Sequence, residues 1–215
     1  ALQRGHVMVP ARGSGGLLTT TMTAIDLKKM LVEIGGGLEL AADNGPRSSV
    51  AGGSSTALEE LRRAIEAEGG AAVRLAGDTP FHHAAMAPFQ GPLRAALSTL
   101  EPAVPTLPIA STVSGGLSTE TLFDADYWAQ NIRCPVRFRA ALEALTSQGY
   151  HHFVEIGPHP ALVKHIETAL SGHPRKRVLA AMTQDAAGIG APLAVLAALF
   201  ADGMVTMADM PSDET

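Results

Sequence analysis

Residues 17–77 carry six short pattern segments whose order admits few folds. Leu17 to Thr23 is short and β-branched, which predicts a strand. Ile25, Met30, Leu31 and Ile34 share one helical stripe, with Asp26 in the first turn and Gly35-Gly36-Gly37 as the stop. LELAAD at 38–43 and SSVAG at 48–52 predict two strands around the turn NGPR at 44–47. Thr56 with Glu59 forms a capping box ahead of Leu58, Leu61 and Ile65, and Gly69-Gly70 closes that helix. AAVRLAG at 71–77 returns as a strand. The order βαββαβ is that of the ferredoxin-like split unit, a scaffold that hosts many unrelated activities.

Beyond Gly77 the pattern changes. DTPFHH at 78–83 is a polar, proline-containing loop, followed by a helix carrying Met86, Phe89, Leu93, Leu97 and Leu100, with Pro88 in its first turn. EPAVPTLP leads into the strand IASTV at 109–113, and Tyr127 and Trp128 sit on a short helix ending near Asn131. Pro135 opens a helical stripe through Val136, Phe138, Ala141, Leu142 and Leu145. HHFVEIG at 151–157 predicts a strand, GPHP a turn into the helix ALVKHIETAL, and RVLAAM a further strand before an apolar helix at 190–202 and an acidic tail. Alternating strands and helices imply a parallel α/β layer, with too few strands to complete one.

Composition removes several function classes. The 215 residues are 46% hydrophobic and 17% charged, enough apolar content to bury a core. A net charge of −5 leaves no basic field for nucleic acid or anionic lipid. The most apolar stretch, at 190–204, is shorter than the ~20 residues that span a bilayer. Cys134 is the single cysteine and has no intramolecular partner, which fits a reducing, cytoplasmic setting.

Eight histidines invite a metal reading, above all the pairs His82-His83 and His151-His152. Adjacent residues on an extended segment point to opposite faces, and neither a cysteine cluster nor HExxH occurs, so no metal site is expected. His82 stands apart because its loop lies between two regular elements, where a general base is commonly held. Taken alone it is more simply a histidine making a local hydrogen bond. No GxSxG elbow is present to supply a nucleophile beside it.

Four segments in order resemble the acyltransferase domain of modular polyketide synthases, related to malonyl-CoA:acyl-carrier-protein transacylases. They are AADNGPRSSVAGG, DTPFHHAAMAP, DADYWAQNIRCPVRF and FVEIGPHPAL. The resemblance implies a hydrolase-like α/β core, incomplete here, with an inserted ferredoxin-like subdomain. Residues 1–14 would end the first part of the core, 15–78 form the small subdomain, 79–172 continue the core, and 173–215 form a following linker and tail. It implies ping-pong acyl transfer, in which a serine takes a malonyl-type group from coenzyme A and the phosphopantetheine thiol of an acyl carrier protein removes it. No cofactor is bound tightly. Neighbouring ketosynthase and linker domains would be partners, and nucleic acid and membrane would not.

By the same resemblance His82 is the catalytic base, oriented by the backbone oxygen of Asn131. Arg4 grips the free carboxylate of the extender unit, as a planar guanidinium can do bidentately. Thr79, Pro80 and Phe81 set specificity. A phenyl ring before the histidine fills the space of an α-methyl group and goes with malonyl, whereas Thr79 and Pro80 match neither usual pattern. Val9 stands where the family has glutamine, and His83 where it has serine. The family's Gly-His-Ser elbow lies upstream of the arginine, while this chain opens three residues before Arg4, so the nucleophile is expected outside it. The competing expectation is a non-catalytic remnant that serves as a docking module.

Overall fold

The computed structural model describes residues 2–118, 123–172, 176–183 and 190–206. The acidic tail and parts of the expected linker at 173–215 lie outside the described residues. The chain divides into two compact units, residues 1–148 and 149–215. The division therefore falls inside the stretch 79–172 that the sequence suggested as one piece.

The first unit opens with helix α1 (Leu2–Met8) and a 3-10 turn, Val9–Ala11. Strand β1 (Gly16–Thr20), helix α2 (Ala24–Ile34), strands β2 (Glu39–Gly45) and β3 (Ser48–Gly53), helix α3 (Ser55–Ala67) and strand β4 (Ala72–Arg74) follow. They form one antiparallel sheet in the order β2-β3-β1-β4, so the first strand lies inside the sheet. The sheet and the two helices bury Leu18, Leu27, Met30, Leu31, Leu58, Leu61 and Ile65 in one cluster. Its drive is removal of apolar surface, at about 25 cal/mol per Å².

The helical stripe of α2 differs from its sequence pattern: Ile25 is 67% exposed while Leu27 is fully buried. The helix begins at Ala24, and Ala24, Leu27, Met30 and Leu31 make the inward face at spacings of three, three and one. The capping box at Thr56 does not form. Ser54 is the N-cap, its hydroxyl accepting from Ala57 N–H at 3.2 Å, and Glu59 instead pairs with Arg62 and Arg63. A serine in extended geometry ahead of the helix can reach that amide.

After β4 comes a loop, a 3-10 turn at Ala84–Met86, and helix α4 (Ala87–Ala96), with Pro88 in its first turn as expected. The hairpin β5 (Ile109–Ser111) and β6 (Gly116–Ser118), helix α5 (Ala125–Arg133) and helix α6 (Phe138–Ser147) complete the unit. Val136 is not on the second helical stripe. It makes a parallel bridge with Ala42, its N–H donating to Ala41 O at 2.8 Å while its carbonyl accepts from Asp43 N–H at 2.9 Å. Pro135 forces the extended approach that this bridge needs. Arg139, in the first turn of α6, then forks onto Asp43 of β2.

The second unit pairs β7 (His152–Glu155) with β8 (Arg177–Ala180) in parallel, joined through helix α7 (Val163–Ala169). Glu155 accepts from the N–H groups of Ala161, Leu162 and Val163, so its carboxylate satisfies the donors at the start of α7. Helix α8 (Gly190–Ala201) follows, and among the described residues no helix is long and apolar enough to cross a membrane.

Candidate active site

The loop between β4 and the 3-10 turn is held from both sides. Pro80 is fully buried, and a Cβ at Gly15 would touch its ring, so the loop lies directly against the entrance to β1. Phe81 N–H donates to Thr79 O at 3.0 Å and tightens the bend. His82 then takes φ 63°, alone among the described non-glycine residues in having positive φ. That conformation disfavours most L-residues and needs surrounding contacts to persist. The contacts come from the end of α5. His82 N–H donates to Ile132 O at 3.0 Å, and the ring Nδ1 lies 2.9 Å from Cys134 O.

A carbonyl can only accept, so Nδ1 carries the proton and Nε2 is left with its lone pair. Burial pushes the imidazole below its ordinary value of 6.5, and the charge of Arg4 adds to that effect. The carbonyls of Cys134 and, less, of Asn131 pull the other way. Burial leads, so the ring is neutral near pH 7, the state a proton acceptor needs.

The carbonyl 2.9 Å from the ring Nδ1 is that of Cys134, and the Asn131 backbone oxygen acts on the ring more weakly. Both belong to the end of α5: Cys134 caps the helix, its N–H returning to Gln130 O, and Pro135 has no N–H to offer Asn131 O. Asn131 also enters through its side chain. Its Oδ1 accepts from Arg4 Nη1 at 3.1 Å.

Arg4 projects from α1, which packs on α4 through Met8, Met86 and Leu93 with Phe81 and Leu97 at the margin. Its guanidinium lies 5.8 Å from the centroid of the Phe81 ring, within reach of a cation–π contact. Burial lowers its pKa, yet a guanidinium starts so high that it stays cationic. The elements therefore bring together a cation, a phenyl ring and a neutral imidazole from distant segments.

Arg4 and Phe81 line a cavity of about 820 Å³, together with Thr79, Leu93, Leu97 and Trp128. Pro80 does not line it, and lies buried behind Phe81. His82 is also not among the residues that line it. Trp128 also lines the cavity. Its indole N–H donates to Phe123 O at 3.0 Å and its ring stands edge-on to Tyr127, whose hydroxyl meets Ser111 Oγ at 2.9 Å. His83 diverges from His82, its Nε2 turned to Gly37 O. Among the described residues no three His, Cys, Asp or Glu side chains converge on one point.

Comparison with known proteins gives this geometry a context. The profile of the family "Acyl transferase domain" matches residues 1–205. Spectinabilin polyketide synthase system protein NorA' of Streptomyces orinoci is 35% identical over 172 residues, 80% of this chain and 5% of that protein. Pikromycin polyketide synthase component PikAIII of Streptomyces venezuelae is 34% identical over 160 residues, 74% of this chain and 10% of that protein. Among solved structures, the acyltransferase domain from module 8 of the salinomycin polyketide synthase superposes with a TM-score of 0.89 at 30% identity. That superposition covers 95% of this chain and 48% of the salinomycin domain's chain, so the 215 residues span about half of it. The mixed α/β arrangement is likewise that of malonyl CoA-acyl carrier protein transacylase from Clostridium perfringens, with a TM-score of 0.82 at 24% identity over 94% of this chain and 63% of that one.

Proposed function

The chain belongs to the acyl transferase domain family, and on that premise we propose that it is the histidine-bearing part of a malonyl-type acyltransferase domain of a polyketide synthase. What carries the reading is the Nε2 lone pair of a neutral His82, set one residue from a phenyl ring that packs under the Arg4 guanidinium. The hydroxyl of a serine outside these residues gives its proton to Nε2 as its oxygen attacks the thioester carbonyl of malonyl coenzyme A. The imidazolium returns that proton to the departing coenzyme A sulfur, leaving an acyl-serine ester. The phosphopantetheine thiol of an acyl carrier protein then loses its proton to His82, attacks the ester, and the serine oxygen is reprotonated.

The cationic Arg4 suits the free carboxylate of the extender unit, and Phe81 restricts the space beside its α-carbon. Thr79 shapes the mouth of the cavity, and Pro80 acts from behind by fixing Phe81. Coenzyme A thioester and carrier protein are transient partners, no tightly bound cofactor is needed, and the setting is cytoplasmic. The βαββαβ sheet fits a ferredoxin-like subdomain at 15–78, inserted into a hydrolase-like core at 1–14 and 79–172, with a linker from 173.

The test uses the natural polypeptide that carries this sequence, given equal malonyl- and methylmalonyl-coenzyme A and read by intact mass. A malonyl adduct is expected, and His82→Ala slows its formation at least ~100-fold, the usual scale of a lost general base. A methylmalonyl adduct would overturn the role of Phe81. No adduct from folded protein would make the chain a docking remnant.

A further inference from the structure

The His82 loop and the helix end that orients it come from separate stretches of chain, and Glu39, the first residue of β2, reaches both. Its Oε2 accepts from Ala84 N–H at 3.0 Å, two residues past His82. The same carboxylate pairs with Arg133, Nη1 to Oε2 at 3.0 Å and Nη2 to Oε1 at 3.3 Å. Arg133 directly precedes Cys134, whose carbonyl holds the His82 ring. One carboxylate therefore ties down the donor side and the acceptor side of the His82–Cys134 hydrogen bond. His83 adds a second strap from the same edge. Its Nδ1 accepts from Ala85 N–H at 3.1 Å, which leaves Nε2 to donate to Gly37 O, and its side chain is buried against Gly52.

We propose that Glu39 is a positioning residue for acyl transfer, holding the His82 loop and the Cys134 carbonyl in register so that Nε2 faces the serine at a fixed angle. The inference rests on His82 being the base and adds to it a partner that touches no substrate. Both members of the Glu39–Arg133 pair are partly exposed, at 36% and 27%, so the pair contributes little to global stability. Its effect lies in orientation, since small misplacements of a catalytic group lower rates by large factors.

Glu39→Ala removes both ties, and Glu39→Gln keeps an oxygen for Ala84 N–H while losing the charge for Arg133. In the natural polypeptide, kcat for acyl loading is expected to fall about 10-fold or more in Glu39→Ala and less in Glu39→Gln, with KM within about twofold. A readout free of turnover comes from histidine-labelled ¹⁵N spectra of the 215-residue chain. The His82 ring should titrate closer to its ordinary value as the loosened loop admits water, because burial is the leading cause of its low pKa. Arg4, the charged group that acts on the ring, is untouched by these changes. Should Glu39→Ala fail to fold, Arg133→Lys keeps the charge and loses the fork, and an intermediate fall in kcat is expected. A folded variant with unchanged kcat and unchanged His82 titration overturns the proposal. So does a lower melting temperature with both readouts unmoved, which would mark a purely structural contact. If instead the titration moves while His82→Ala loads at the wild-type rate, the base assignment fails and the positioning contact stands.

Discussion

At Arg4 a single side chain serves three neighbours: the Asn131 amide oxygen, the face of Phe81, and the cavity. Removing it should change selectivity more than affinity in general. Arg4→Ala is expected to lower the ratio of malonyl to acetyl loading about 10- to 100-fold, the range of a hydrogen bond to a charged group. Competition between the two thioesters, read by intact mass, checks this, and an unchanged ratio would remove Arg4 from carboxylate recognition. His82, Arg4 and Phe81 were legible because their residue types sit in motifs. Cys134 was not, because it acts through a backbone carbonyl, and a carbonyl leaves no mark in residue type. Only the helix end, announced by Pro135, hints that a free acceptor emerges there. Thr79, Pro80 and Phe81 enter together through the resemblance, yet in the bend only Thr79 and Phe81 line the cavity while Pro80 is buried.

Elements were legible where periodicity was long and flanked by glycine, and less so where one residue sets a boundary. The span of α3 was legible, while its cap moved from Thr56 to Ser54 because the hydroxyl must precede the helix in extended geometry. Ser54→Ala is expected to lower stability by about 1 kcal/mol and Thr56→Ala by a few tenths, a contrast that denaturant melts resolve. Equal losses would restore the capping box. Val136 shows how an apolar residue beside a helix misleads. Its side chain fits the stripe, yet its backbone completes the edge of β2. The strand β6 left no signal because three residues are too few to display alternation.

Over the whole molecule, burial lowers the pKa of His82 in the first unit and of His165 in the second. An unfolded chain would take up protons at both as the pH falls through about 6.5, while the folded chain resists, so acidification favours unfolding. The melting temperature should drop between about pH 7 and pH 5, and His82→Asn, which tolerates positive φ, should shrink the drop. A flat profile over that window would contradict the burial of both rings. The site's dependence on distant segments was legible only through the family resemblance, since periodicity carries no information on which loops meet. The sheet order supplies the reason they do. β1 and β4 are antiparallel neighbours, Leu75 N–H reaches Leu17 O at 3.0 Å, and Gly15 N–H reaches Asp78 O at 3.3 Å. The chain thus enters and leaves the four-stranded sheet through one narrow neck. The stretch between them is moored to the rest of the unit along β2 and the turn before it, through Gly37, Glu39 and the run Ala41 to Asp43, so lengthening the turns away from that seam should leave Arg4 and His82 in place.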